Sequence, residues 1–142
     1  FQILCEAGIL PGALISNREL QFRCKWVNLQ VANKETLFSS EIKPNSILKI
    51  PISHGEGNYQ VDPNTLTEIE NTKKVVFRYC GADGKIDSAS NPNGSINNIA
   101  GILNKEGNVL GMMPHPERAC NDNLGSKDGN MIFQSMINSV IE

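Results

Sequence analysis

The sequence predicts an α/β fold in which helices cover a sheet, and two observations lead to this prediction. Apolar segments typical of strands alternate along the chain with segments typical of helices, and no repeat or linker separates two cores. The chain has 142 residues, of which 39% are hydrophobic and 20% charged, enough for one buried core. We therefore expect one domain, and not a disordered chain, a collagen-like repeat or a coiled coil.

The individual elements follow from hydrophobic periodicity and from the residues that start and stop helices. Extended segments are predicted at residues 20–31, 47–52 and 75–79, followed by a hairpin of 99–103 and 109–113 around a glycine-containing turn. Helices are predicted at residues 1–9, ended by Gly8 and Pro11-Gly12, at 63–71 and at 131–141. Asp62 is the expected N-cap of the second helix, with Pro63 in its first position.

Charge and cysteine content exclude several classes of protein. A net charge of −2 gives no basic excess for nucleic acid or for an anionic membrane, and no apolar run approaches the roughly 20 residues that cross a bilayer. The start of the chain does not resemble a signal peptide. The four cysteines form no C-x-x-C pair, and with only two histidines they predict no zinc site. We expect unpaired thiols and a cytoplasmic location.

The segment Pro114-His115-Pro116-Glu117 is the most informative local pattern. Each proline favours extended geometry in the residue before it, and in an extended segment residues i and i+2 point to the same side. The carboxylate of Glu117 is therefore expected beside the imidazole of His115. A carboxylate that orients a histidine forms two thirds of a nucleophilic triad, although a proline-rich surface turn would show the same spacing.

None of the four cysteines is a convincing nucleophile by position. Cys5 lies inside the first predicted helix, Cys24 lies in an extended stretch, Cys80 ends a strand and Cys120 follows Glu117 by three residues. None lies at a sharp turn between a strand and a helix, where a helix N-terminus would lower the pKa of a thiol. The triad therefore lacks its third member on this pattern.

A resemblance supplies the missing part. The chain resembles the glutaminase subunits of phosphoribosylformylglycinamidine synthases, a group of class I (triad) glutamine amidotransferases. Four segments carry the resemblance in order: FQILCEAGILPG from Phe1, PISHGEGNY from Pro51, NPNGS from Asn91 and GMMPHPER from Gly111. The nucleophile elbow of that family reads G-x-C-N-G-F-Q, and Phe1-Gln2 matches its last two residues. The resemblance thus implies a catalytic cysteine three positions before Phe1.

The resemblance also implies a fold and a set of roles. The fold is a flavodoxin-like amidotransferase sheet covered by helices, of which residues 1–142 form a partial, C-terminal domain without the first strands and the elbow. His115 matches the catalytic base and Glu117 the carboxylate that holds it. Gln2 matches a position near the bound glutamine. Asn17 and Phe22 fall in the segment that lines the glutamine pocket.

The resemblance assigns no role to three further positions, Glu19, His54 and Glu56. The family often has a serine where this chain has Glu19, and it shares His54 and Glu56 as part of a signature for which the residues themselves suggest no role. A glycine-rich loop with one histidine and one glutamate fits a partner-docking surface or simply a tight turn.

The implied function is hydrolysis of glutamine to glutamate and ammonia for formylglycinamidine ribonucleotide synthesis in de novo purine biosynthesis. Its partners would be a large synthetase subunit and a small accessory subunit, with no nucleic acid or membrane. We expect no cofactor in this chain, because it has neither G-x-x-x-x-G-K-[ST] nor G-x-G-x-x-G; ATP and Mg²⁺ would belong to the synthetase subunit. The 142 residues alone, without the elbow cysteine, are expected to be inactive.

Two alternatives remain open at this point. The first is a non-catalytic docking or scaffold module of the synthetase. The second is a class I amidotransferase of another biosynthetic pathway, against which the segments 54–59 and 91–95 speak.

Overall fold

The computed structural model describes residues 1–141. The described chain contains three α-helices, seven strands and three short 3-10 turns. The helices are α1 (Gln2–Glu6), α2 (Pro63–Asn71) and α3 (Asn130–Ile141). The strands are β1 (Ala13–Ile15), β2 (Arg23–Val31), β3 (Ile47–His54), β4 (Asn58–Gln60), β5 (Val75–Cys80), β6 (Ile99–Leu103) and β7 (Leu110–Met112).

The main sheet has five strands in the order β3-β2-β5-β6-β7, and β1 pairs with β4 in a separate ribbon. The mixed α/β class is confirmed. All pairings among the described strands are antiparallel, whereas a flavodoxin-like order is parallel. Parallel neighbours need a crossover connection, usually a helix. Here β2 is joined to β3, β5 to β6 and β6 to β7 by segments without an α-helix.

The helix boundaries follow from local chemistry. Asp62 accepts hydrogen bonds from the backbone N–H groups of Asn64 and Thr65, both at 3.1 Å, so the predicted cap of α2 is confirmed. Helix α1 has no side-chain cap and ends at Glu6, earlier than predicted, because the chain turns at Gly8 with φ of +72°. Among the described helices, none combines the length and the apolar character needed to cross a bilayer.

The prediction of an extended segment from residue 20 is wrong for its first three residues. Leu20 has φ of +55° and donates its backbone N–H to the carbonyl of Asn17, which closes a turn before β2 begins at Arg23. The short ribbon of β1 and β4 was not predicted. Three-residue strands carry too little periodicity to be recognised.

Two apolar clusters fill the two sides of the central strands. The first joins residues of β2, β3, β5 and β6 with Ile132 of α3. The second joins residues of β5 and β6 with Leu10, with Tyr59 of β4 and with Ile69 of α2. Because β5 and β6 contribute to both clusters, the middle of the sheet is buried on both faces. The ends of β3 and β7 carry the polar segments described next.

Candidate active site

The segment that follows β7 holds His115. The backbone N–H of His115 donates to the carbonyl of Pro51 in β3 at 2.8 Å, which fixes the segment against that strand. His115 itself is extended, with φ of −102° and ψ of 90°, and it caps a 3-10 turn over Pro116–Arg118. The neighbouring Pro116 favours this extended geometry in the residue before it.

The predicted contact between His115 and Glu117 is present. Nδ1 of His115 lies 2.8 Å from Oε1 of Glu117. The extended geometry predicted for this segment is wrong at Glu117, which lies in the 3-10 turn. A carboxylate only accepts hydrogen bonds when ionised, so Nδ1 carries the proton. Nε2 of neutral His115 then keeps its lone pair, as a general base requires.

A second polar segment, here called the 54–58 loop, consists of His54, Gly55, Glu56, Gly57 and Asn58 and leads from β3 into β4. Asn17, which is buried, forms hydrogen bonds with backbone groups on both sides of this loop, a set of contacts here called the bracket. Its Nδ2 donates to the carbonyl of His54 at 2.9 Å, and its Oδ1 accepts from the N–H of Gly57 at 2.9 Å. Its own N–H donates to the carbonyl of Gly55 at 2.9 Å. The position of the loop is therefore fixed on both sides of Glu56.

His54 ties the loop to the segment around Asn93. The backbone N–H of Ser95 donates to Oδ1 of Asn93 at 3.1 Å, so Nδ2 of Asn93 faces His54. That amide lies 3.1 Å from Nε2 of His54 and also donates to the hydroxyl of Tyr79 at 3.2 Å. Nε2 of His54 must therefore accept, and the proton lies on Nδ1, which is buried and has no hydrogen-bond partner among the described residues.

The environment keeps His54 neutral. Burial lowers the pKa of His54 from 6.5 to about 4, and the charge that His115 can carry contributes in the same direction. This electrostatic contact links the 54–58 loop to the His115–Glu117 pair. The imidazole also fills the space beside Gly57, since a Cβ built there would come within 2.1 Å of the ring.

We expect acid to destabilise the chain through His54. Between pH 4 and 6.5 the unfolded state binds the proton and the folded state does not, so the free energy of unfolding rises with pH across this window. Because of this shift, the free energy of unfolding is about 3 kcal/mol lower below pH 4 than above pH 6.5. Denaturant unfolding at several pH values should give a shallower pH dependence for His54→Gln than for the parent chain. Equal slopes would contradict the assignment.

The predicted ligand-binding residues lie around the same loop. Nε2 of Gln2 lies 3.1 Å from Oε2 of Glu56 and 3.2 Å from Oε1 of Glu6. Phe22 is 66% exposed and lies beside Gly55. Asn17, by contrast, is 1% exposed and its side chain bonds backbone groups of the loop. Whether these residues contact glutamine stays a prediction, but for Asn17 the visible role is to support the loop.

Helix α1 begins close to the His115 segment. The ring of Phe1 stacks on Tyr59 with centroids 5.3 Å apart. Phe1 and Leu10 also fill the space above Gly111 of β7, where a Cβ would meet Leu10 at 2.3 Å and Phe1 at 2.7 Å. The start of α1 is thus anchored on the strand that leads to His115, four residues further along the chain.

The cysteines are unpaired, as predicted. Burial raises the pKa of Cys5 and of Cys80 to about 11 in each case, which disfavours the thiolate. Cys24 is exposed, and Sγ of Cys120 contacts the carbonyl of Glu117 at 3.3 Å. Within residues 1–141 no thiol is hydrogen-bonded to His115, and no group of three or more His, Cys, Asp or Glu side chains could hold a metal ion.

Comparison with known proteins decides what kind of domain this is. Residues 1–132 match the CobB/CobQ-like glutamine amidotransferase domain. The chain belongs to this amidotransferase family. The His115–Glu117 pair therefore lies within the matched amidotransferase domain.

Individual relatives with high sequence identity are subunits of one kind of synthase. The chain is 53% identical over 137 residues to phosphoribosylformylglycinamidine synthase subunit PurQ of Moorella thermoacetica, covering 96% of this chain and 58% of that protein. It is 51% identical over 141 residues to the same subunit of Gloeobacter violaceus, covering 99% and 61%. The chain thus spans about three fifths of the length of the curated relatives it matches.

A solved structure agrees with these relatives. The amidotransferase chain is similar to a chain in the structure of PurLQS from Thermotoga maritima, with a TM-score of 0.82 and 41% sequence identity. The match covers 98% of this chain and 57% of the other. The fold described above is therefore similar to that of part of that chain.

The hydrogen bonds among the buried polar residues around His54 were not predicted from the sequence. Asn93, Ser95 and Tyr79 support His54, and no local pattern pairs them with it. The only available signal was that NPNGS and PISHGEGNY both carry the family resemblance. Two loops that are rich in small and polar residues and that share a family signature are candidates to meet in space.

Proposed function

We propose that this chain supplies the base and its orienting carboxylate to a glutaminase that hydrolyses glutamine to glutamate and ammonia. The single observation that carries the proposal is the 2.8 Å contact between Nδ1 of His115 and Glu117 in an amidotransferase domain. That contact leaves Nε2 of His115 as the acceptor for a proton, and the His115 side chain is 31% exposed, so a reacting group can reach it.

The reaction follows from these roles and from a thiol on the elbow. Nε2 of His115 takes the proton of the thiol, and the thiolate attacks the side-chain carbonyl carbon of glutamine. The protonated His115 then gives its proton to the departing ammonia, leaving a glutamyl thioester. In the second half, His115 accepts a proton from water as that water attacks the thioester, and it returns the proton to the released thiolate. Glu117 stabilises the imidazolium in both halves.

The ammonia would serve formylglycinamidine ribonucleotide synthesis in purine biosynthesis. The similarity to PurQ subunits and to a chain of PurLQS supports this pathway over other amidotransferase pathways. By the same analogy, the partners are a large synthetase subunit and a small accessory subunit. ATP and Mg²⁺ would act on the synthetase subunit, and this chain would need no cofactor of its own.

The test compares two proteins. The first is the 142-residue chain, and the second is an elbow-completed chain, in which an amidotransferase N-terminal segment that ends in the elbow motif G-x-C-N-G is joined ahead of Phe1. We expect glutamine hydrolysis only from the elbow-completed chain, since removal of a triad nucleophile costs several orders of magnitude in rate. Glutamate release, with and without the synthetase partner, measures it.

Changing the elbow cysteine to serine is the matched control. Hydrolysis by the 142-residue chain that disappears with Cys120→Ser would contradict the proposal and assign the thiol to Cys120. An elbow-completed chain that binds the synthetase but never releases glutamate would favour the docking or scaffold alternative.

A further inference from the structure

The proposed function gives no role to Glu56, which lies in a loop held by hydrogen bonds on both of its sides. Its neighbours on both sides are fixed: Asn17 bonds Gly55 and Gly57, and Oγ of Ser95 donates to the carbonyl of Gly57 at 3.1 Å. A surface carboxylate on a tight turn needs no such support. The carboxylate of Glu56 reaches across to α1, where Oε2 accepts a hydrogen bond from Nε2 of Gln2 at 3.1 Å.

The side-chain amide of Gln2 lies between two carboxylates. Its nitrogen contacts Glu56 at 3.1 Å and Glu6, one helical turn further along α1, at 3.2 Å. Ionised carboxylates accept hydrogen bonds but do not donate them, so only the NH₂ group of the amide can face them. The opposite orientation would put the amide oxygen against two negative charges. The orientation of the Gln2 amide is thus determined by its neighbours.

This orientation has a consequence for ligand binding. An amide normally offers donors and acceptors and can rotate to suit either kind of ligand. Here both N–H groups of Gln2 are taken, and Oε1 makes no hydrogen bond within the described chain. The group that Gln2 can present to a ligand is therefore an acceptor, in a setting that already carries two negative charges. Such a group favours a cation.

We propose that Glu56 is a positioning residue that, together with Glu6, fixes the Gln2 amide so that its oxygen recognises the α-ammonium group of the substrate. This inference rests on the proposed function, because it takes glutamine as the ligand near Gln2. It assigns Glu56 to substrate selection and not to the bond-breaking step, which belongs to His115. It also explains why the 54–58 loop is held so firmly.

The kinetic test uses the elbow-completed chain and two substrates. One is glutamine, and the other is glutaramate, which is glutamine without its α-ammonium group. Glu56→Gln keeps the size of the side chain but lets the new amide rotate, so the orientation of Gln2 is no longer imposed. We expect about a tenfold higher KM for glutamine, corresponding to the loss of one charge-assisted hydrogen bond. The kcat for glutamine and the kcat/KM for glutaramate should change less than about twofold.

Two comparisons make this test specific. Glu68→Gln, on the exposed side of α2, is the matched control and should leave the preference for glutamine unchanged. In a Gln2→Ala background, Glu56→Gln should have no further effect on that preference. An equal loss on both substrates, or a fall in kcat at unchanged KM, would overturn the positioning role.

A second measurement does not depend on turnover. In ¹⁵N-labelled protein, the side-chain NH₂ signal of Gln2, assigned by its absence in Gln2→Ala, should show slowed hydrogen exchange that Glu56→Gln abolishes. If the exchange is slow but no protein hydrolyses glutamine, the proposed function fails while the Glu56–Gln2 bond stands. If hydrolysis occurs and the hydrogen-exchange rate of the Gln2 side-chain NH₂ group is the same with and without Glu56→Gln, the positioning proposal alone is overturned.

Discussion

His115→Ala in the elbow-completed chain is expected to lower glutamine-dependent synthesis by at least about a hundredfold, because it removes the group that moves the proton in both halves of the reaction. Ammonia-dependent synthesis by the partner should be unchanged, since His115 acts only in making ammonia. Both rates are measured in the reconstituted complex with saturating glutamine or with ammonium salt. The ratio of the two activities is the informative quantity.

The companion variant Glu117→Gln separates orientation from acid–base chemistry. Its amide can present either N–H or C=O to Nδ1 of His115, which lies 2.8 Å away in the parent chain. The imidazole then no longer has an imposed tautomer, and its protonated form loses the neighbouring charge. We expect a smaller loss than for His115→Ala. If ammonia-dependent synthesis fell together with glutamine-dependent synthesis in either variant, the pair would instead be part of the subunit interface or of the fold.

Gly57→Ala is expected to have the largest structural effect in the site. A Cβ at this position would lie 2.1 Å from Cδ2 and Nε2 of His54, a distance that no side chain tolerates. Either the imidazole leaves Asn93, or the loop leaves Asn17, whose Oδ1 holds the N–H of Gly57 at 2.9 Å. Overpacking and a lost buried hydrogen bond together should lower the free energy of unfolding by about 2–4 kcal/mol. Denaturant unfolding and glutaminase assays measure both consequences.

Gly55→Ala provides a control from the same loop. A Cβ at Gly55 would have ordinary contact with Phe22, whose Cδ2 would be 3.7 Å away. We expect a change of less than about 1 kcal/mol. Equal destabilisation by the two substitutions would mean that the loop is sensitive to any added methyl group, and that the packing of His54 against Gly57 is not the cause.

The features that the sequence predicted well are local ones. Asp62 and Pro63 specify the start of α2 within three residues, and the hairpin of β6 and β7 follows from two apolar runs around a glycine turn. The contact between His115 and Glu117 spans only two residues, so the spacing was enough to predict it. The predicted extended geometry was wrong, because Glu117 lies in a 3-10 turn.

The features that the sequence did not predict depend on residues far apart in the chain. Nothing near Asn17 indicates that its side chain will hold the N–H of Gly57, and nothing near Asn93 indicates a contact with His54. The antiparallel order of the sheet likewise depends on how loops return the chain, which hydrophobic periodicity does not encode. The family resemblance named the right loops but not the bonds between them.

The bracket that Asn17 forms around the 54–58 loop bears on the order of events in folding. It joins residues 40 positions apart, and the contact of His54 with Asn93 joins residues 39 apart. Closing such long loops costs chain entropy before any bond compensates for it, whereas the neighbouring hairpin of β6 and β7 needs only a short closure. Pairing of β2 with β3 places Arg23 opposite His54, so once these two strands are paired the bracket closes at little further cost in chain entropy. We therefore expect the bracket to form after that pairing, whereas the contact of His115 with Glu117 spans two residues and needs no long-range closure.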